Sequence, residues 1–466
     1  MANLEDVIKE SHRARLFPVL AETSKEGRAT SILLTCVANV SEFGRVMLGS
    51  LGQRVGSRAQ IAAYTEVSFP MGRGEKAARP DGLIVLRIGS RTWTALVEAK
   101  VGAADLDQGQ VETYCEVARR YGVDAVLTLS NQFASLPTHH PLPLSAAARR
   151  RVEIYHWSWM NVLTQATLLI DGEGVADTDQ AFILAEFVRF LTHPSTGVKG
   201  FDRMPPAWPD LVAKAQAGAP ISAGDEAVRE VVGAWHQEVR DLSLILSRQL
   251  TAEVHPAVPR AQRGDAEARI KADAERLKAE SCLCASLLVP DAAAPIEIRA
   301  DLRGRSVVVS MKVRAPEDRK SNKARLGWLL RQIEASEPDG IHLRLHFMGR
   351  APSRQSTLAE ARVDPEAVAG GRDAPELVSM EILLVRDLAA RFAQRNKFIS
   401  ELEAAVPNFY ERVGQHLKSW QARAPKLREE RAEPESVSVE ALAEAGEAGE
   451  EEGRGPTDGW LVPVQE

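Results

Sequence analysis

The sequence contains few cysteines, few aromatic residues and no long apolar run. Its four cysteines among 466 residues include no C-x-x-C pair, which excludes a disulfide framework and argues against a zinc site. No apolar run approaches the roughly 18 residues of a membrane-spanning helix, and the charged start MANLEDVIKESHRARLF lacks the apolar segment of a secretory signal. Aromatic residues make up 5%, so aliphatic side chains must build the core. We therefore expect a cytoplasmic protein with reduced cysteines and no membrane contact.

The sequence also has little net charge outside its last segment. The formal net charge is −6, and residues 426–466 carry 12 acidic and 4 basic residues, so the rest of the chain has a net charge of +2. A nearly neutral body excludes a protein that wraps nucleic acid by charge alone, although it is compatible with a local basic groove. The chain has no G-x-x-x-x-G-K-[ST] loop, which excludes an ATP-driven motor of that type.

The hydrophobic pattern predicts an α/β domain over residues 1–195. Apolar residues recur at helical spacing in some segments, whereas short runs rich in β-branched and aromatic residues predict strands in others. The predicted helices are 4–22, 26–49, 105–121 and 161–191, and the predicted strands are 63–69, 81–88, 92–99, 123–130 and 152–159. This order of helix, three strands, helix and strand is typical of an α/β fold.

The remaining chain predicts a linker, a second domain and a tail. Proline and glycine interrupt every periodic pattern in residues 196–224, which we interpret as the linker. Residues 225–425 predict an α/β accessory domain, and residues 426–466 predict an acidic disordered tail. The accessory domain is predicted to contain helices at 225–250, 265–281, 321–336 and 387–422, a hairpin at 296–313, and strands at 341–348 and 379–385.

A strand hairpin at residues 81–99 carries the most informative group of polar side chains. Gly89 and Ser90 fit a two-residue turn, and with that turn Asp81 faces Glu98 across the antiparallel pair. Two carboxylates directly opposite repel each other, so a divalent cation is the natural partner. Lys100 follows Glu98 by two residues and therefore points to the same face. The spacing predicts that two acids and one lysine meet at one end of the hairpin.

These residues resemble the signature of the PD-(D/E)xK nuclease superfamily. The signature is present here as Pro80-Asp81-Gly82 followed by Glu98-Ala99-Lys100, and residues 110–114, QVETY, resemble the Q-x-x-x-Y motif of its exonuclease branch. The resemblance covers roughly residues 20–135. It implies a restriction-endonuclease-like αβββαβ core with a mixed sheet, to which residues 225–466 are additions.

The resemblance implies a metal-dependent nuclease that hydrolyses phosphodiester bonds. Asp81, Glu98 and the carbonyl of Ala99 would bind Mg²⁺ or Mn²⁺, and Lys100 would orient or help to deprotonate the attacking water. DNA is the implied partner, in repair or in defence against foreign DNA. Endonuclease and exonuclease activity, and a monomer and a homodimer, stay open.

The resemblance also implies supporting residues. Gln110 and Tyr114 lie one helical turn apart and would position the substrate backbone or the lysine. The family often adds an acid from its first helix, for which Glu26 is one candidate, and Glu66 in the preceding strand is the other.

Two further interpretations stay open at this point. A basic stretch that includes Arg319, Lys320 and Lys323 precedes a predicted helix with Ser321 as its cap, and a basic loop at a helix start is a phosphate-binding surface. The near-neutral body also fits a catalytically inactive, nuclease-fold binding or regulatory protein. The accessory domain is a candidate surface for a protein partner.

Overall fold

Two β-sheets organise the part of the chain that the computed structural model describes, residues 3–18, 24–71, 76–371 and 373–421. The described residues form a mixed α/β fold with 13 α-helices and 13 strands, and both sheets belong to one compact unit that ends at Trp420. No single helix in these ranges is long and apolar enough to cross a membrane. The predicted acidic tail lies outside the described residues.

The first sheet and its helices occupy residues 4–192. These elements are α1 (Leu4–Glu10), β1 (His12–Arg13), α2 (Lys25–Asn39), α3 (Ser41–Gly49), β2 (Gln60–Thr65), β3 (Gly82–Ile88), β4 (Arg91–Ala99), α4 (Gln108–Tyr121), β5 (Ala125–Ser130), β6 (Glu153–Ser158), α5 (Trp159–Asp171) and α6 (Thr178–Thr192). The sheet order is β1-β2-β3-β4-β5-β6, antiparallel from β1 to β4 and parallel from β4 to β6. The sheet is therefore mixed, as the sequence predicts.

Both faces of this sheet are covered, which explains why its central strands are apolar without alternation. Ile84 and Leu86 of β3 pack with α2, α3, α5 and α6 in one hydrophobic cluster. Leu83 and Val85 of the same strand pack with α1 and α4 in a second cluster. The helices thus enclose the strands that carry the candidate site.

Two helix predictions in this region are wrong. The predicted helix 4–22 ends at Glu10, because the chain then joins the sheet edge as β1. The predicted helix 26–49 is two helices that meet at 104°, with Val40 in an extended conformation between them. A Cβ atom at Gly44 would lie 2.3 Å from the Val37 carbonyl oxygen, so only glycine permits α3 to cross α2 so closely.

The second sheet and its helices occupy residues 208–412. These elements are α7 (Trp208–Gln216), α8 (Glu226–Leu250), β7 (His255–Pro256), α9 (Ala266–Glu280), β8 (Cys282–Leu288), β9 (Ile296–Asp301), β10 (Ser306–Arg314), α10 (Asn322–Gln332), β11 (Ile341–Phe347), β12 (Arg354–Thr357), α11 (Leu358–Val363), α12 (Pro365–Val368), β13 (Leu377–Asp387) and α13 (Arg395–Arg412). The sheet is antiparallel throughout, in the order β12-β11-β13-β10-β9-β8-β7.

The second sheet has its own hydrophobic cluster, which draws on residues 204–417. The stretch 196–224, interpreted from sequence as a linker, contributes α7 and the fully buried Met204 and Trp208 to this cluster. The predicted hairpin at 296–313 is present as β9 and β10. The predicted helix 387–422 is wrong at both ends, because a 3₁₀ turn at Ala389–Arg391 precedes α13 and the helix stops at Arg412.

Candidate functional site

The register between β3 and β4 places the two predicted carboxylates at the same end of the hairpin. Gly82 pairs with Val97 and Ile88 pairs with Arg91, as the proposed turn requires, and Gly89 at the turn has a φ of 61°. Asp81 precedes the first of these pairs and Glu98 follows it. The side chain of Asp81 closes the end of the hairpin, since its Oδ2 accepts a hydrogen bond from the Ala99 N–H at 2.8 Å.

Little space is left beside the backbone at Gly82, at the start of β3. A Cβ atom at Gly82 would lie 2.4 Å from Leu34 Cδ1 of α2, the end of a flexible side chain, and 3.1 Å from the Tyr64 carbonyl oxygen. Both separations are shorter than ordinary van der Waals contacts. A side chain at this position would therefore require Leu34 to move and the neighbouring strand to shift slightly.

Glu98 and Lys100 form a buried ion pair beside Asp81. Lys100 Nζ donates to Glu98 Oε1 at 2.6 Å, and the side chains of Lys100 and Glu98 are 17% and 2% exposed. Burial raises the pKa of Glu98, although the Lys100 ammonium opposes this shift. Burial lowers the pKa of Lys100, but its hydrogen bond to Glu98 and the nearby carboxylate charges outweigh burial and raise it overall. Lys100 is therefore a firmly protonated cation.

Asp81 is the carboxyl group of the site that titrates near neutral pH. Burial and then the charge of Glu98 raise its pKa to about 7, against the lowering effect of the Ala99 N–H and of Lys100. A carboxylate in this position gains from any additional positive charge brought close to it. The second oxygen of Glu98, Oε2, is also buried and has no hydrogen-bond partner among the described residues.

Of the two candidates for an additional acid, the structure brings Glu26 to the site. Glu26 lies in the first turn of α2, and its Oε2 is 3.8 Å from Lys100 Nζ. Glu66 follows β2 with a φ of 55°, is 60% exposed at its side chain, and instead lies 3.7 Å from His12 Nε2. Glu66 also lines the cleft that contains Asp81, but it forms no ion pair with Lys100 among the described residues.

Gln110 and Tyr114 share a face of α4, as predicted, and are bonded to each other. Gln110 Nε2 donates to the Tyr114 hydroxyl at 3.0 Å, and the hydroxyl donates to the Arg79 carbonyl at 3.1 Å. Tyr114 is 4% exposed, and burial followed by the charge of Glu98 raises its pKa. The pair therefore holds the backbone two residues before Asp81, which is a role that sequence reasoning did not assign to it.

Sequence reasoning also missed what fixes the backbone of Lys100. Its N–H donates to the Leu129 carbonyl at 2.8 Å, and its carbonyl accepts from the indole N–H of Trp159 at 2.8 Å. Trp159 is fully buried at the start of α5. Its distance from Lys100 in the sequence leaves no local signal for this contact.

Two clefts flank the segment Arg79–Asp81. One has a volume of about 430 Å³ and is lined by the β1 segment, the start of α2 and Asp81, and the other has about 480 Å³ and is lined by Lys76, Gln110 and Tyr114. Arg79 lines both clefts. Of the acid pair and the lysine, only Asp81 lines one of these clefts, and the arginines of that first cleft were not predicted from sequence.

The basic stretch of the second sheet is largely paired with acids. Ser321 caps α10, as predicted, by accepting from the Ala324 N–H. Lys323 Nζ lies 3.1 Å from Glu366, and Arg319 lies 3.7 Å from Asp318. Lys320 lines a cleft of about 640 Å³ that also contains two glutamates. Phosphate binding by this stretch stays a prediction, and it would compete with these carboxylates.

The described residues contain no group of three or more His, Cys, Asp or Glu side chains arranged to hold a metal ion. The hairpin end offers two carboxylates, and one of their oxygens, Glu98 Oε2, is buried without a hydrogen-bond partner among the described residues. Carboxylate oxygens are the donor type that hard divalent cations prefer. The donor chemistry of Asp81 and Glu98 therefore fits Mg²⁺ or Mn²⁺ with water and phosphate completing the shell. No protein-family model matches the chain, and no curated protein matches it significantly.

Proposed function

We propose that this protein is a metal-dependent nuclease that hydrolyses phosphodiester bonds, with DNA as the substrate. One observation carries the proposal: Asp81, Glu98 and Lys100 converge at one end of the β3–β4 hairpin, where Asp81 lines a cleft. An acid pair with a protonated lysine is the combination that phosphoryl chemistry uses, because the transition state carries dispersed negative charge.

The order of elements around the site supports the proposal. Helix α2 is followed by α3, the antiparallel strands β2, β3 and β4, then α4, and then β5, which is parallel to β4. Apart from the extra helix α3, this order corresponds to the αβββαβ core of the PD-(D/E)xK superfamily. The acids lie on the second and third strands of this unit, where that signature has them.

Asp81 and Glu98 are the side chains that would hold the metal ion, and Glu26 lies close enough to Lys100 to act on the same group of charges. When bound, Mg²⁺ or Mn²⁺ supplies a water molecule of lowered pKa and offsets the negative charge of the phosphate. Positive charge at this position would also stabilise the ionised form of Asp81, whose pKa of about 7 otherwise leaves it partly protonated at neutral pH.

Lys100 acts through its charge and its hydrogen bonds. Its raised pKa keeps the ammonium protonated at neutral pH, so the side chain is a donor rather than a general base. Nζ is fixed by Glu98, while the Lys100 backbone is fixed by Leu129 and Trp159. We therefore assign Lys100 to orienting the attacking water or a phosphate oxygen, while Gln110 and Tyr114 keep the Arg79 end of the motif in place.

One observation favours the second candidate, an inactive nuclease-fold binding protein. Glu98 is 1% exposed and its Oε1 is already occupied by Lys100, so the acid pair is partly neutralised without a metal ion. A protein that binds nucleic acid without cutting it would keep this buried pair for stability alone. The nuclease requires Asp81 for cleavage, whereas the binding protein does not require Asp81 to bind nucleic acid.

Cleavage of linear, circular and single-stranded DNA with Mg²⁺, Mn²⁺ or EDTA tests the proposal. We expect metal-dependent cleavage by the wild type and a loss of at least about 100-fold in Asp81→Asn and Lys100→Met. Asp105→Asn, at an exposed aspartate outside the site, is the control and should cleave normally.

Mn²⁺ titration by calorimetry gives a readout independent of cleavage, and Asp81→Asn should weaken binding while Asp105→Asn does not. Cleavage that survives both site variants would refute the assignment. DNA binding without cleavage, unaffected by Asp81→Asn, would establish the second candidate instead.

A further inference from the structure

The segment from His12 to Pro18 presents an alternation of exposed and partly buried side chains beside the candidate site. Arg13, Arg15 and Phe17 are exposed, whereas Ala14 and Leu16 between them are partly buried and pack against a hydrophobic cluster. The chain pairs as a strand at His12 and Arg13 and bends at Leu16 and Phe17. The segment therefore exposes two cations followed by an aromatic ring.

Backbone hydrogen bonds hold this segment in place. His12 and Arg13 pair with β2, the Ala14 N–H donates to the Ala63 carbonyl at 3.0 Å, and the Arg15 N–H donates to Ser31 Oγ at 2.9 Å. Ser31 Oγ donates in turn to the Arg15 carbonyl at 2.8 Å. The segment thus forms one wall of the 430 Å³ cleft that also contains Asp81.

The cations of this cleft are available to an anion. Arg13, Arg15 and Arg79 line the cleft. Its lining also contains the carboxyl groups of Glu66 and Asp81, but none of the three arginines forms an ion pair with a carboxylate among the described residues. The Arg13 guanidinium lies 4.8 Å from the centre of the Tyr64 ring, an orientation that a cation–π contact maintains. In contrast, Arg319 and Lys323 of the second sheet have carboxylate partners.

Phe17 adds a second, independent feature. Its side chain is 84% exposed, although phenylalanine is usually buried, and it lies between Arg15 and Pro18, which both line the cleft. An exposed ring beside arginines is the arrangement by which proteins bind single strands, with bases stacked on the ring and phosphates on the cations. A duplex offers no such base, because its bases are stacked on one another.

We propose that this cleft binds single-stranded nucleic acid, with its phosphates on Arg13, Arg15 and Arg79 and a base stacked on Phe17. The volume lies within the roughly 300–1,000 Å³ range of ligand clefts. Asp81 lines the same cleft as the three arginines, so a strand bound to them would lie beside the hairpin end. Cleavage of that strand rests on the proposed nuclease function, whereas its binding does not.

Fluorescence anisotropy in EDTA tests the binding without cleavage, using labelled oligo(dT) and a duplex of the same length. The variants are Phe17→Ala and the double variant Arg13→Gln/Arg15→Gln. The matched controls are Phe182→Ala, at another exposed phenylalanine, and Arg54→Gln/Arg58→Gln, at two exposed arginines that precede β2.

We expect oligo(dT) to bind more tightly than the duplex and Phe17→Ala to weaken it about 10-fold, while Phe182→Ala has no effect. The double arginine variant should weaken binding further. It should also flatten the slope of log K against log salt by roughly 1.4, because two phosphate contacts are lost.

Tighter binding of the duplex would overturn the inference, and so would equal losses in the two phenylalanine variants or in the two basic double variants. Cleavage assays of the same proteins separate this result from the nuclease proposal. Strand binding with no cleavage in Mg²⁺ or Mn²⁺ would leave the inference standing and refute the nuclease. Cleavage that is insensitive to Phe17→Ala and Arg13→Gln/Arg15→Gln would support the nuclease and refute strand binding in this cleft.

Discussion

The chain contains two groups of buried carboxyl groups, and they differ in what surrounds them. The hairpin group, Asp81 and Glu98 with Glu26 nearby, contains Lys100 at 2.6 Å from Glu98, and its Asp81 lines a cleft. The helix group comprises three residues on the packed helices α8 and α13. They are Glu238, Asp241 and Glu403.

The carboxyl groups of the helix group form no ion pair among the described residues, although the charges of Arg240 and Arg248 lie near enough to lower the pKa of Asp241. Glu238 is fully buried, and neither of its carboxyl oxygens has a hydrogen-bond partner among the described residues. Burial raises its pKa well above the ordinary value, and the charges of Glu403 and Asp241 add to the shift. Burial also raises the pKa of Asp241 to about 6 and that of Glu403 to about 7.

Both groups therefore contain carboxyl groups with raised pKa values, but in the described part of the chain only the hairpin group also has an ion-paired lysine and an adjacent cleft. A shifted pKa is common to functional sites and to structural clusters. The hairpin group differs from the helix group by the lysine that is paired with Glu98 and by the cleft that Asp81 lines together with arginines that form no ion pair among the described residues. The comparison shows that access and charge partners carry more functional information than the titration behaviour of a group.

The largest difference should appear when the cation of the hairpin group is removed. Lys100→Met leaves Glu98 as a buried charge without a partner, which costs about 3–5 kcal/mol of unfolding free energy. Lys100→Met/Glu98→Gln should recover most of this loss. Urea unfolding measures both, and Lys278→Met, which breaks an exposed pair with Glu275, should cost at most about 1 kcal/mol. Equal effects of Lys100→Met and Lys278→Met would show that the hairpin pair is not buried.

A smaller difference concerns pH. The acids of the helix group keep their protons in the folded protein up to about pH 6 to 7, whereas in the unfolded chain they lose them near pH 4. Between these values the folded state binds more protons, so the free energy of unfolding decreases as the pH rises. Because burial raises the pKa of Glu238, we expect Glu238→Gln to make this decrease between pH 5 and 8 smaller.

Glu230→Gln, at an exposed position of the same helix, is the control for this pH series. It should leave the slope of unfolding free energy against pH unchanged. If the wild type and Glu238→Gln had the same slope, Glu238 would be ionised in the folded protein. That result would contradict the raised pKa that burial gives it.

The smallest effect is expected at the tyrosine that supports the hairpin group. Tyr114→Phe removes the bonds to Gln110 and to the Arg79 carbonyl, and should cost about 1 kcal/mol of unfolding free energy. Tyr121→Phe on the same helix, whose hydroxyl bond to the Pro70 carbonyl is exposed, should cost less. Thermal unfolding of the two variants measures the difference, and a larger loss in Tyr121→Phe would contradict the supporting role of Tyr114.

The parts of the site that sequence predicts are those governed by local rules. The turn at Gly89 fixes the register, and two-residue alternation then places Asp81, Glu98 and Lys100 together. Helical spacing likewise places Gln110 beside Tyr114. Mixed α/β architecture and the order of the central strands follow from the same periodic patterns.

The parts that sequence does not predict depend on contacts between distant segments. Trp159 reaches Lys100 from the start of α5, and the edge position of Arg13 depends on pairing with β2 rather than on the helical spacing of its own segment. Gly44 permits the crossing that divides one predicted helix into two. In each case tertiary packing overrides a local preference.

The positions of β4 and β1 in the first sheet have a consequence for dynamics. Strand β4 lies between β3 and β5, whereas β1 is a two-residue edge strand. Amide protons in a central strand exchange with solvent only when the whole sheet opens, while those at a short edge exchange by local fraying. The carboxylates and Lys100 are thus attached to the slowest-opening part of the sheet, and Arg13 to one of the fastest. The central strands that hold the hairpin group therefore stay closed on the timescale on which the edge strand β1 opens and closes.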